Sequence, residues 1–179
     1  MRFTIKLKLA LAFGLLIVLM TASTLFGISA LNKLNTAQTA IIKGPMAQLQ
    51  RAQATNIALL QITRAQKNMG LSTDNEELTS QNEKADKQRG ILQGILDTGL
   101  ANATSAEAKA KWTGLQQDWD AYAAVDTKMR AAMLAGHRAE GVGMMSTVQR
   151  PLTNAVTKRV EELVALNTEK LNAAEEAGN

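Results

Sequence analysis

The sequence predicts an all-α protein: an antiparallel up-down-up-down four-helix bundle preceded by one transmembrane helix. Three observations predict it. Phe, Trp and Tyr make up only 3% of the 179 residues although 46% are hydrophobic, so Ala, Leu, Val, Ile and Met carry the apolar content. With only two prolines, Pro45 and Pro151, that composition favours helices over sheets. One long run near the amino end is apolar and free of charge, and the remainder divides into helical stretches separated by short turn signals.

Residues 9–31, "LALAFGLLIVLMTASTLFGISAL", carry no charge. As a helix they span roughly 34 Å at about 1.5 Å per residue, enough to cross a hydrocarbon core of ~30 Å. A cleavable signal peptide has an apolar core of only about 7–15 residues. Thr21-Ala22-Ser23 resembles a cleavage site, but apolar residues resume at Leu25 and Phe26, so the segment is expected to remain as an anchor. Arg2, Lys6 and Lys8 crowd the leading end, which the positive-inside rule makes cytoplasmic. The expected layout is therefore residues 1–8 in the cytoplasm, 9–31 across a bacterial inner membrane, and 32–179 in the periplasm. Ser23-x-x-x-Gly27 sets two small residues on one face, where another membrane helix could approach.

The first helix of the bundle runs from Asn32 to about Met69, with Leu49, Ala52, Asn56, Leu59, Ile62 and Gln66 as its stripe and a kink or restart at Gly44-Pro45. Gly70 is expected as its C-terminal cap, and Thr73-x-x-Glu76 as the capping box of the second helix. That helix extends to about Asp97 and is expected to bury Ile91, Leu92, Ile95 and Leu96. After the turn "TGLANATS", Thr104-x-x-Glu107 is expected to box the third helix, whose stripe is Trp112, Leu115, Trp119, Tyr122, Met129 and Met133. "AGHRAEG" closes it. The fourth helix, from about Ala139 to Ala177, carries Val142, Met145, Val148, Leu152, Val156, Val160, Leu163 and Leu166, and Pro151 should bend it. An even number of antiparallel helices returns the chain to the end where it entered. At "EEAGN" a second membrane crossing could begin, as in a two-pass protein.

Several functions are excluded or unsupported. Net charge is +4, but three of those charges precede the apolar run and the rest are well mixed, so no nucleic-acid partner is expected. There are no cysteines, which rules out disulfides, thiolate catalysis and c-type haem attachment. His137 is the single histidine and sits in a turn, so a ferritin-like di-iron site is excluded. Met129, Met133, Met144 and Met145 gather toward one tip, where core filling fits them better than thioether copper binding. Trp112, Trp119 and Tyr122 read as core rather than as a stacking platform. No nucleophile–base pair, glycine-rich phosphate loop or carboxylate pair stands out, so no enzyme activity, cofactor or metal is expected. Asn102-Ala-Thr104 fits a glycosylation sequon, which means little in a bacterium. Glu83 with Lys87 and Glu107 with Lys111 have the spacing of helix-surface ion pairs.

The motifs "KLKLALAFGLLIVL…LNKLN", "GPMAQLQ", "RAQKNMGLSTDNE", "WTGLQQDWDAYAA" and "MLAGHRAEGVGMM", in that order, resemble methyl-accepting chemotaxis receptors with a four-helix-bundle sensor domain. The resemblance covers essentially the whole chain. The same bundle is similar to the sensor modules of some histidine kinases and cyclases. The resemblance implies a homodimer with membrane lipid around the first helix. Its ligand docks far from the membrane, between the first and fourth bundle helices. The partner is a small molecule (an organic acid or amino acid) or a periplasmic binding protein. Binding shifts the fourth helix in a piston-like displacement toward a cytoplasmic domain, methylated on glutamates, that controls a histidine kinase. Arg64 stands at a suitable height, and Asn68 shares its face; Gln61, Arg150 and Thr153 complete a candidate anion-binding set. Two features depart from members that bind aspartate or serine: Lys67 and Asn68 stand where further arginines occur, and Leu152 rather than Thr153 follows Pro151. The alternative from another class is an exported helical adaptor with a cleaved signal.

Overall fold

The computed structural model describes residues 5–178. Arg2 and the rest of residues 1–4, on which part of the orientation argument rests, lie outside the described residues. Among the described residues every regular element is helical, as the composition and periodicity predict.

The first helix, α1 (Ile5–Ile41), is continuous over 37 residues and runs unbroken across residue 31. Leu15, Leu16, Ile17, Val18 and Leu19 are consecutive and all exposed, so apolar side chains cover its whole circumference. Water does not favour such a helix, whereas a hydrocarbon medium does. Its hydroxyls are satisfied within the helix: Thr21 Oγ1 donates to the Ile17 carbonyl and Thr24 Oγ1 to that of Met20, each at 2.8 Å. The span Leu11–Thr36 is long and apolar enough to cross a membrane, and none of it is buried.

The expected interruption lies at Ile42–Met46, a π-helical turn in which Gly44 leaves helical space (φ −94°, ψ −105°) just before Pro45. Pro45 has no N–H to offer the preceding turn. The chain divides here into two compact units, Met1–Ile42 and Lys43–Asn179.

The second unit is the bundle. It comprises α2 (Ala47–Leu71), α3 (Asn75–Ala101), α4 (Ala106–Leu134), the short α5 (Arg138–Met144) and α6 (Arg150–Gly178). Each of α2 and α4 packs against both α3 and α6, which gives the square of a four-helix bundle. At one end Gln48 Nε2 donates to the Gly99 carbonyl (3.3 Å) and Lys170 Nζ to Ser105 Oγ (3.0 Å). The start of α2 and the end of α6 therefore share that end with the α3–α4 turn. The main core joins Leu59 and Ile62, Leu92 and Leu96, Trp112, Leu115, Trp119 and Tyr122, and Val156, Val160 and Leu163. Trp119 and Tyr122 stack at 5.3 Å between ring centroids.

Several local expectations are corrected. The α3 cap is Asp74, whose carboxylate accepts from the Glu76 and Glu77 amides, rather than Thr73. The α4 cap is Ser105, accepting from the Ala108 amide, rather than Thr104. Both shifts place the cap beside the last extended residue, where its oxygen faces the orphan N–H groups. Gly70 lies inside α2 and caps nothing. A Cβ there would stand 3.1 Å from Val142 Cγ2, so its smallness serves helix packing. Gly136, with φ +87°, makes the left-handed turn after α4.

Ile91 is exposed, because the inward arc of α3 is the narrow row Ala85, Leu92, Leu96 and Gly99. Val142 and Val148 are also exposed. The fourth helix is not one phase: the π-helical turn Met145–Gln149 inserts an extra residue, and the Arg150 amide bonds the Met145 carbonyl. Pro151 follows in the first turn of α6, so the expected bend takes the form of this widening. Neither expected i,i+4 ion pair forms among the described residues; Lys111 Nζ lies 3.6 Å from Glu162 on α6.

Candidate functional site

At the end of the bundle where α2 turns into α3 and α4 into α5, the core changes character. Met69, Leu78, Met129 and Met133 are buried there, with Met144 and Met145 half-buried against them. Methionine fills the irregular space, as the sequence reading has it. Gly141 allows α5 its close approach, since a Cβ would meet Met133 Cγ at 2.5 Å.

Between this cluster and the main core lies a layer of polar side chains, buried at Gln66, Asp126 and Arg130 and reaching the surface at Asp86. Asp126 is 0% exposed. Its carboxylate accepts from Gln66 Nε2, from Arg130 Nε at 3.1 Å to both oxygens, and pairs with Arg89 Nη1 at 3.0 Å. Arg130 extends to Asp86 Oδ1 (2.7 Å) and to Asn82 Oδ1. Gln66 Nε2 donates to the Tyr122 hydroxyl at 2.9 Å, and that hydroxyl can donate back to Gln66 Oε1. The layer ties α2, α3 and α4 together, and its two carboxylates balance its two guanidiniums. Burial and the neighbouring Asp126 charge push the Tyr122 phenol up to about 12, partly offset by its bond to Gln66 and weaker support from Thr63 and Gln149. The Arg130 guanidinium is lowered by burial, but Asp86 and Asp126 outweigh that and raise it.

The sequence stripe jumps from Tyr122 to Met129. Asp126 fills the gap at the same spacing of four and three, so its burial was signalled by position and masked by its charge.

Two grooves flank this region. The first, about 350 Å³, runs between α2 and α3 and is lined by Gln61, Arg64, Ala65, Asn68, Gln81, Lys84 and Gln88. Asn68 Nδ2 donates to Gln81 Oε1 across it at 3.4 Å. The second, about 460 Å³, lies between α2 and the α5–α6 stretch. Lys67 and Arg150 stand at it with Thr63, Gln66, Val142, Met145, Gln149 and Thr153. The five sequence-selected residues thus divide within one protomer: Gln61, Arg64 and Asn68 meet in the first groove, Arg150 and Thr153 in the second. Neither groove is lined by a carboxylate, so both suit anions.

Gln149 was not among the selected residues. It is 2% exposed, and neither its amide nitrogen nor its oxygen finds a hydrogen-bond partner. Among the described residues, no three His, Cys, Asp or Glu side chains gather closely enough to hold a metal ion.

A family model described as a four helix bundle sensory module for signal transduction matches residues 2–178. No curated protein and no solved structure matches the chain.

Proposed function

Because the chain belongs to the four-helix-bundle sensory modules of methyl-accepting chemotaxis receptors, a sensory rather than an enzymatic family, we propose that it is the extracytoplasmic sensor region of a bacterial chemotaxis transducer. In this reading α1 anchors the chain in the inner membrane and the bundle stands in the periplasm. A small organic anion binds and the signal leaves as a displacement of α6.

One observation carries the reading. The second groove is walled by α2 on one side and by the α5–α6 stretch on the other, so an occupant touches the first and last helices of the bundle together. The polar layer clamps α2 to α3 and α4, whereas α6 contributes no side chain to it. α6 is tied to α4 instead by the part-exposed pairs Arg159–Asp118 and Lys111–Glu162, which can re-form after a small shift of the helix. A ligand moves it only by the difference in its affinity for the two positions. Homodimer pairing fits the face carrying Ile57 and Leu60 of α2, both exposed, beside the half-buried Val164 of α6.

The test uses the full chain in lipid nanodiscs with spin labels on Gln53 of α2 and Lys158 of α6, and a control pair on Gln53 and Asp97 of α3. A screen of organic acids is expected to yield at least one that shifts the α2–α6 distance by about 1–2 Å, the scale of helix shifts in switching proteins, and leaves the control unmoved. Binding without any α2–α6 change would overturn the displacement mechanism.

A further inference from the structure

The chemistry of the second groove narrows its ligand. Its lining holds two cations, Lys67 and Arg150, both exposed at the mouth, and no Asp or Glu. Asp126, bonded to the groove residue Gln66 from the interior side, is fully buried and already engaged by Gln66, Arg89 and Arg130. Val142 and Met145 supply an apolar wall.

The buried polar residue of this groove with no partner is Gln149. Other buried polar atoms lack partners, namely Gln48 Oε1, Arg51 Nη1, Trp112 Nε1 and Arg138 Nε, but of these residues only Gln149 lines one of the described grooves. No neighbouring side chain meets either atom in a formed hydrogen bond, and the Tyr122 hydroxyl, on which Gln149 has a weak influence, is bonded to Gln66. Thr153 donates its hydroxyl proton to the Gln149 backbone carbonyl at 3.0 Å, and Thr63 donates to Leu59 at 2.8 Å. Gln66 is committed to Tyr122 and Asp126. A buried amide left unpaired is costly, and a ligand group that pairs it recovers that cost on binding.

We infer that this groove selects small hydroxycarboxylates over amino acids, with the carboxylate held by Arg150 and Lys67 and the hydroxyl by Gln149. The inference rests on the sensor reading and names its ligand class. A hydroxyl is the smallest group that serves both amide atoms, donating to Oε1 and accepting from Nε2. An ammonium can only donate, so it leaves Nε2 unpaired. It also enters a lining with two positive charges and no compensating carboxylate, an arrangement that rejects a cationic group. A simple carboxylate without the hydroxyl leaves both atoms of Gln149 as they are.

Isothermal titration of the full chain in nanodiscs tests this with malate and lactate, their analogues succinate and propionate without the hydroxyl, and their amino analogues aspartate and alanine. The hydroxy acids are expected to bind at least tenfold more tightly than both other classes. Gln149→Leu is expected to collapse that preference to within about threefold, while Lys109→Ala on the exposed face of α4, away from both grooves, leaves it intact. Should the leucine variant fail to fold, the six-ligand comparison on the unaltered chain still decides. Equal or tighter binding of the amino or unhydroxylated analogues overturns the ligand class and leaves the sensor reading standing. No binding by any of the six overturns the ligand class, and the spin-label distances then judge the sensor reading separately.

Discussion

Asp126 carries its charge with no access to water, and the interior tolerates it because Arg130, Arg89 and Gln66 surround it. Removing Asp126 leaves the Arg130 Nε and the Gln66 amide buried without their main acceptor, although Arg130 keeps Asp86 and Asn82. Asp126→Ala should therefore lower stability by about 3–5 kcal/mol at neutral pH, measured by urea unfolding. Tyr122 adds a pH signature. Its ordinary value of 10.0 rises to about 12 in the fold, so the folded state holds the phenolic proton more tightly than the unfolded chain. That contribution is fully present below pH ~10 and is lost as pH climbs through about 12. At roughly 1.4 kcal/mol per unit, it amounts to about 2–3 kcal/mol. Tyr122→Phe should cost stability at pH 8 by leaving Gln66 underpaired, yet show a shallower decline than the parent between pH 10 and 12. Parallel slopes would remove Tyr122 from the account.

At the scale of elements, the turns decide where each helix begins. Asp74 holds two orphan amides of α3, while Thr73 is exposed and outside the helix. Asp74→Ala should cost about 1 kcal/mol, and Thr73→Ala a few tenths at most. A thermal melt that ranks them the other way would restore the box read from the sequence. Close approach matters as much as capping. A Cβ on Gly99 would stand 2.7 Å from the Trp112 ring, whose neighbours Leu96 and Leu115 leave it no room to retreat. Gly99→Ala should destabilise the bundle by about 1–3 kcal/mol despite its better helix propensity, with a change in tryptophan fluorescence as Trp112 is displaced. The π-helical turn at Met145–Gln149 rotates what precedes it out of phase with α6. That offset turns Val142 and Val148 outward and Gln149 inward.

For the whole molecule, the break at Gly44-Pro45 has a thermodynamic consequence. Among the described residues, the bundle's core is made entirely of residues after Lys43. A chain of residues 43–179 should fold cooperatively in water, and its urea midpoint should match the bundle transition of the full chain in nanodiscs. A molten, non-cooperative transition for the shortened chain would show that the division is not one of stability. The same division suits the proposed sensor: with α1 in lipid and the bundle in water, each could be apolar or amphipathic without compromise to the other.

The sequence by itself determined the uncharged run 9–31 of the first helix, the four-helix bundle and the Trp–Met stripe of α4. Each follows from periodicity and composition, which act over neighbouring residues. It also placed the interruption at Gly44-Pro45, because a missing N–H is a local fact. The stripe spacing pointed Asp126 inward, but the tertiary structure decided that its charge and that of Arg130 stay inside, since a charge is buried only when partners from other helices arrive to meet it. It alone divided Gln61, Arg64 and Asn68 from Arg150 and Thr153, and brought Gln149 to the floor of a groove. Those outcomes depend on the phase of one helix against another, and a single extra residue in a wide turn resets that phase.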